Sequence, residues 1–123
     1  MFDDVIFENL QLISESLDLI NDRFLKINQP DDFVLDESGV LILDAIAMRL
    51  QVTGELLKKI EKRDKSFLKH YNEINLDNIM RLRDIVSHHY EKVDHEIIFD
   101  ICKNHLPTLR KTIQKMIKRS FGT

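Results

Sequence analysis

Residues 2–27, which read FDDVIFENLQLISESLDLINDRFLKI, decide the fold of this chain. Apolar side chains recur through this stretch at intervals of three and four: Phe2, Ile6, Leu10, Ile13, Leu17, Ile20, Phe24 and Ile27. Because an α-helix repeats every 3.6 residues, this spacing predicts one long amphipathic helix over residues 2–27. The polar residues 28–32 include Pro30, which stops one helix and offers caps for the next. The first turn between helices is therefore predicted there.

A second helix is predicted from about residue 33 or 38 to residue 62. Between Val40 and Val52 its apolar residues occupy nearly every angular position, so it must be covered on several sides. Contact with both its own core and a second subunit would satisfy this requirement, and so would a central position in a monomer.

The rest of the chain continues the helical pattern. Residues 63–72 indicate a short helix or an irregular connection, and Asn75 or Asp77 is a plausible cap for a third long helix. A further helix is predicted from Asp94 to about Lys118, with a kink near residues 103–104 because Pro107 removes a backbone donor.

Composition agrees with an all-α fold. Only three Gly and two Pro occur in 123 residues, which suits long helices and leaves few turn residues for a sheet. The length fits one ordinary domain. We therefore expect residues 1–123 to form a single antiparallel bundle of four to five helices.

The charge is distributed unevenly along the chain. Residues 1–44 hold two basic and eleven acidic side chains, a net charge of −9, whereas residues 45–123 hold sixteen and ten, a net charge of +6. Solvated helix faces often look like this, but the second part could also face a polyanion. Its cations form two clusters, Lys58, Lys59, Lys62, Arg63 and Lys65 in one helix, then Arg110, Lys111, Lys115, Lys118 and Arg119.

The cellular compartment is suggested by what the sequence lacks. No apolar run approaches the roughly 20 residues that span a bilayer, and acidic residues at the start are unlike a signal peptide. The single cysteine, Cys102, lies among apolar neighbours and is interpreted as a core residue rather than a reactive thiol. We expect a cytoplasmic protein without membrane contact.

One segment concentrates polar chemistry. Residues 83–90, RDIVSHHY, place an Arg, an Asp, two His and a Tyr within eight positions. On an ideal helix Arg83 and His88 would lie about 140° apart, too far round to share a face. Either the helix ends near Ser87, or the pair works together with its copy across a twofold axis. A structural interpretation also exists, in which Arg83 pairs with Asp84 or Glu91 and the remaining residues cap the helix.

The segment resembles the HepT-like proteins of the HEPN superfamily, whose mark is R-x-x-x-x-H-x-Y. Arg83, His88 and Tyr90 match that pattern position for position. Asp84 follows the arginine as an acid or amide does in the family, and Gly54-Glu55 occupies the place of a usual Gly-Glu pair. The resemblance extends over essentially the whole chain.

The resemblance implies a homodimeric, metal-independent endoribonuclease, the toxin of a type VII-like pair, with two motifs facing each other across an RNA cleft. His88 would then move protons near neutral pH, and Arg83 would stabilise phosphate charge. Asp84, His89 and Glu55 would support them, although each also suits a solvated position. The basic side chains expected to hold RNA are Lys58, Lys59, Lys62 and Arg63.

Tyr90 carries a further implication of the resemblance. The family's partner is an MNT-type nucleotidyltransferase antitoxin, which transfers AMP groups to the motif tyrosine and silences the toxin. No cofactor and no metal are expected, because His88, His89, Asp94 and His95 lack the paired spacing of a zinc site. The alternative function is a noncatalytic module that binds a nucleotidyltransferase or nucleic acid.

Overall fold

Helix α1 buries the apolar stripe of the first predicted helix. The computed structural model describes residues 3–71 and 94–122. In it α1 spans Asp4–Phe24 and is capped by Asp3, whose carboxylate accepts hydrogen bonds from two N–H groups of the first turn. The stripe forms the centre of the core, with these residues at most 2% exposed: Ile6, Leu10, Ile13, Leu17 and Ile20.

The first helix was predicted over residues 2–27, so its predicted end lies three residues beyond the end of α1. After Phe24 the backbone tightens, and the Ile27 N–H bonds to the Phe24 carbonyl at 2.9 Å. The Asp32 carboxylate then accepts a hydrogen bond from the Asn28 N–H at 2.8 Å, which closes the turn. Ile27 remains in the core, only 7% exposed, although it lies outside the helix. Its burial explains why the apolar pattern continued past the helix end.

A short 3-10 turn, Pro30–Phe33, leads into the second helix, α2, which spans Glu37–Arg63. Asp36 caps α2 by accepting a hydrogen bond from the Gly39 N–H at 2.8 Å. Gly39 lies against the backbone of the 3-10 turn, so that a Cβ there would overlap the Asp32 carbonyl oxygen. The predicted position of α2 is confirmed.

After α2, the chain breaks at Asp64 and forms a five-residue helix, α3, over Lys65–Lys69. The expectation that Lys65 shares a helix with the preceding basic cluster is therefore wrong. The Asp64 carboxylate accepts a hydrogen bond from the Ser66 hydroxyl at 2.6 Å and caps the new helix. This local bond competes with continuation of α2.

The last long helical stretch begins where Asp94 caps α4, His95–Asp100, as predicted. It continues through a π-turn, Ile101–His105, into α5, Leu106–Phe121. The π-turn lies where a break was predicted, because Pro107 cannot donate an N–H to the carbonyl one turn earlier. The wider turn lets the Leu106 N–H reach the Ile101 carbonyl instead.

Helix α1 packs against both α2 and α5. Arg110 on α5 donates from Nε to an Asp18 carboxylate oxygen on α1 at 2.8 Å, which ties the two helices together at the surface. The chain direction makes α1 antiparallel to α2 and α5. The fold is thus all-α, and every regular element in residues 3–71 and 94–122 is helical. None of the described helices has the length and apolar character needed to cross a membrane.

Gly39→Ala is expected to destabilise the protein by about 1–3 kcal/mol, since the added methyl group must displace the 3-10 turn. This loss should appear although alanine is the better helix former by about 1 kcal/mol. Urea unfolding followed by circular dichroism measures it. The control is Ser38→Ala on the neighbouring, exposed position of α2, which should change stability by less than about 0.5 kcal/mol. Equal stability of both variants with wild type would contradict the close approach.

Candidate nucleic-acid interface

The predicted catalytic segment, residues 83–90, lies within residues 72–93, which are outside the described residues. This applies to Arg83, Asp84, His88, His89 and Tyr90, whose roles stay predictions. The described chain stops at Tyr71, beside the end of α5, and resumes at Asp94, the cap of α4.

Glu55, predicted to support the site, lies on the outward face of α2 and is exposed. Positions three and four apart share this face. Its first half is mainly apolar: Leu41 is 63% and Met48 66% exposed, Ala45 and Val52 are half-buried, and the exposed Asp44 lies at its edge. Glu55 therefore marks the point where this outward face changes from apolar to charged.

The predicted RNA-binding residues lie on the charged half of that face of α2 or next to it. Lys59, Lys62 and Arg63 are exposed, and Lys58 is half-buried. Arg63 is partly neutralised, since its Nε lies 3.2 Å from an Asp3 carboxylate oxygen at the start of α1. The other three cations form no ion pair with any described acidic side chain.

The Asp3 carboxyl is itself adapted to this ion pair. Partial burial raises its pKa, but the hydrogen bond from the Ile6 N–H and the pairing with Arg63 outweigh that effect and leave the pKa below its ordinary value. Asp3 is therefore ionised at neutral pH and holds the last turn of α2 against the start of α1.

The second basic cluster lies on α5. Residues 101–123 contain six Lys and Arg side chains and no acidic residue. Its buried face carries Leu106, Ile113 and Met116, and its exposed positions include Lys111, Lys118 and Arg119, with Lys115 half-buried. Arg110, which is half-buried, pairs with Asp18 across the contact with α1.

Aromatic contacts bring the two clusters to the same end of the bundle. The ring of Phe121, at the end of α5, lies 5.0 Å from that of Phe7 on α1 and 6.4 Å from that of Phe67 on α3. The Tyr71 hydroxyl lies 3.4 Å from the Ser120 hydroxyl. We call this region the basic end; it comprises Lys58, Lys59, Lys62, Arg63, Lys65, Lys69, Lys115, Lys118 and Arg119.

The opposite end is acidic. Phe99 on α4 packs on Phe24 at the end of α1, with their ring centroids 5.2 Å apart, and His95 lies 3.5 Å from an Asp31 carboxylate oxygen. These contacts place α4 beside the 3-10 turn and the start of α2. We call this region the acidic end; it comprises Asp31, Asp32, Asp36, Glu37, Asp94, Glu96 and Asp100.

Two other candidates, a reactive thiol at Cys102 and a metal site, are not supported within the described residues. Cys102 borders a groove of about 200 Å³ between α1 and α5, and burial raises the pKa of its thiol to about 12, so the thiol stays protonated. The prediction that Cys102 is a core residue is confirmed. Within residues 3–71 and 94–122, no three His, Cys, Asp or Glu side chains lie close enough to hold a metal ion.

Sequence reasoning found both basic clusters but did not predict that they meet. Lys62 and Lys118 are 56 positions apart, and neither cluster contains a signal for the other. The available signal was aromatic, because a Phe lies near the start of α1, in α3 and at the end of α5: Phe7, Phe67 and Phe121. Lys65 and Lys69 also belong to the basic end, although only the first was noted from the sequence.

Comparison with known proteins identifies the family. Residues 13–116 match the family model described as ribonuclease HepT-like. Two Methanocaldococcus jannaschii proteins named "Putative RNase" are 29% identical over 95% of this chain and 88% of their own, and 30% identical over 85% and 80%. A Thermococcus cleftensis protein named "Probable ribonuclease HepT" is 28% identical over 89% of this chain and 93% of its own. No solved structure gives a significant match. The chain belongs to the HepT-like ribonuclease family.

Proposed function

We propose that this chain is a metal-independent endoribonuclease and the toxin of a type VII-like HEPN/MNT toxin–antitoxin pair. The observation that carries the proposal is its membership of the HepT-like family together with an intact R-x-x-x-x-H-x-Y motif, Arg83, His88 and Tyr90. Residues 1–123 would act as a single domain in the cytoplasm, on RNA.

The chemistry of the motif suits cleavage of a ribose-phosphate strand. An unperturbed imidazole titrates near neutral pH, so His88 would take a proton from a ribose 2′-hydroxyl or give one to the leaving 5′-oxygen. The Arg83 guanidinium stabilises the charge that develops on the phosphate oxygens. Asp84, His89 and Glu55 would orient these groups or the RNA. No metal ion is required by this chemistry.

The described part of the chain supports an RNA substrate through its charge. Lys59 and Lys62 are exposed cations without a described acidic partner, as binding to phosphates requires. Lys58 and Arg63 extend the same surface, although Asp3 already takes part of the Arg63 charge.

The purified protein is expected to degrade single-stranded RNA in excess chelator, and Arg83→Ala and His88→Ala should each lower the rate at least about 100-fold. The measurement is gel-resolved cleavage of end-labelled RNA over time. His105→Ala is the matched control, since it removes an imidazole with 64% side-chain exposure outside the motif. It should retain wild-type activity, whereas the loss of activity in both motif variants would exclude a co-purifying nuclease.

Equal cleavage by wild type and both motif variants would remove the catalytic proposal. Absence of cleavage by all proteins, with RNA binding intact, would favour the noncatalytic module instead.

We further propose that the active form is a homodimer joined through the apolar half of the outward face of α2. Leu41, Ala45, Met48 and Val52 follow one another at intervals of four, three and four residues, and the two largest are about two-thirds exposed. A twofold axis pairs such a stripe with its own copy, so one surface serves both subunits. This is the second-subunit contact that the apolar character of residues 40–52 suggested.

Met48→Asp is expected to convert the dimer to a monomer and to abolish RNA cleavage, because a charge in the centre of the stripe would be desolvated on association. Light scattering during gel filtration gives the mass. Leu25→Asp is the control, since Leu25 is 73% exposed just beyond α1 and is not part of the α2 stripe. A Met48→Asp dimer, or a monomeric wild type that still cleaves RNA, would contradict the proposed assembly.

Regulation is proposed to act through Tyr90. An MNT-type nucleotidyltransferase would transfer AMP from ATP to the tyrosine oxygen, forming a phosphodiester and releasing pyrophosphate. The added anion would occupy the RNA site and offset the Arg83 charge.

Co-expression with an MNT-type nucleotidyltransferase is expected to add AMP to the wild-type chain and to Tyr71→Phe, but not to Tyr90→Phe. Tyr71 is a suitable control because it is the other tyrosine and is 7% exposed. Intact-mass spectrometry with peptide mapping measures the adduct. An adduct that persists in Tyr90→Phe would place the modification elsewhere.

A further inference from the structure

The two basic clusters form one surface whose parts lie in three different helices. At the basic end, the Phe121 ring at the end of α5 contacts Phe7 at the start of α1 and Phe67 on α3. Helix α3, which follows α2 directly, adds two exposed cations, Lys65 and Lys69. The surface is therefore built by tertiary packing and does not follow a single helix face.

The cations of this surface exceed its acids. Residues 58–71 contain six basic and two acidic side chains, and residues 115–123 contain three basic and none. The start of α1 contributes Asp3 and Asp4, of which Asp3 is committed to Arg63. Neither Lys118 nor Arg119 lies within ion-pair distance of any described acidic side chain. Among the residues that the structure describes, this end therefore carries more positive than negative charge.

The acidic end does not cancel this charge. Helix α2 has 27 residues, so at 1.5 Å per residue the two ends are separated by roughly 40 Å. The screening length at physiological salt is only about 8 Å. Residues 28–37 hold four acidic and no basic side chains, and residues 94–100 hold three and none. A polyanion is therefore attracted to one end and repelled from the other.

We propose that the basic end, with α5 as its second half, is the surface on which RNA docks, and that the acidic end sets the direction of approach. The proposal rests on the proposed ribonuclease function and goes beyond it, because it assigns the RNA backbone to Lys118, Arg119, Lys65 and Lys69 as well as to α2.

The test measures binding of a short, fully 2′-O-methylated single-stranded RNA by fluorescence anisotropy. Its blocked 2′-hydroxyls prevent cleavage, so binding is measured separately from catalysis. Lys118→Glu/Arg119→Glu is expected to weaken binding about tenfold, and Lys59→Glu/Lys62→Glu similarly. The milder Lys118→Gln/Arg119→Gln should lower the slope of log affinity against log salt by about 1.4, the value for two phosphate contacts with a single strand.

The matched control is Lys26→Glu/Lys103→Glu, which changes the net charge equally at exposed positions outside the basic end. It should bind RNA as wild type does. Equal weakening by the control would reduce the effect to overall charge and overturn the proposal. Unchanged RNA binding by Lys118→Glu/Arg119→Glu would also overturn the proposal. If that variant failed to bind the nucleotidyltransferase while its RNA binding was unchanged, the surface would belong to a protein partner. If a variant binds and cleaves RNA at the wild-type level, the docking proposal fails but the ribonuclease proposal stands.

Discussion

Burial of the α1 stripe is the interaction on which the rest of the structure depends. Its five innermost side chains are at most 2% exposed, because α2 covers one flank and α5 the other. Each such side chain contributes roughly 1.5–3 kcal/mol when fully buried, far more than the exposed Asp18–Arg110 pair. The two covering helices must therefore lie against α1, and its length fixes where their ends fall.

In that arrangement, the charge preference of individual helix ends gives the two ends of the bundle opposite charges. Acidic side chains favour helix N-termini and basic ones favour C-termini, because of the partial charges there. The α2 helix follows this rule, with Glu37 at its start and Lys62 and Arg63 at its end, and so does the stretch from Glu96 to Arg119. Since both run antiparallel to α1, their basic ends meet.

The sequence was sufficient where local physics decides the structure. The period of α1, the cap at Asp94 and the break before Pro107 each depend on neighbouring residues. It was insufficient where distant contacts decide, as at Ile27, which is buried by the fold after its helix has ended. The candidate site divides in the same way. The motif is a local pattern, whereas the meeting of α2 and α5 depends on the packing of all three helices.

Helix stabilisation alone does not account for the basic end. The favourable interaction of a cation with a helix C-terminus is about 0.3–1 kcal/mol and falls off within the last turn, so it covers Lys62, Arg63, Lys118 and Arg119. Lys59 lies outside that turn, and Lys65 occupies the first turn of α3, where the helix charges disfavour a cation. Bringing these side chains together adds repulsion that the isolated helices would not have. Because folding gains nothing from that excess, binding of a polyanion is the better explanation for it.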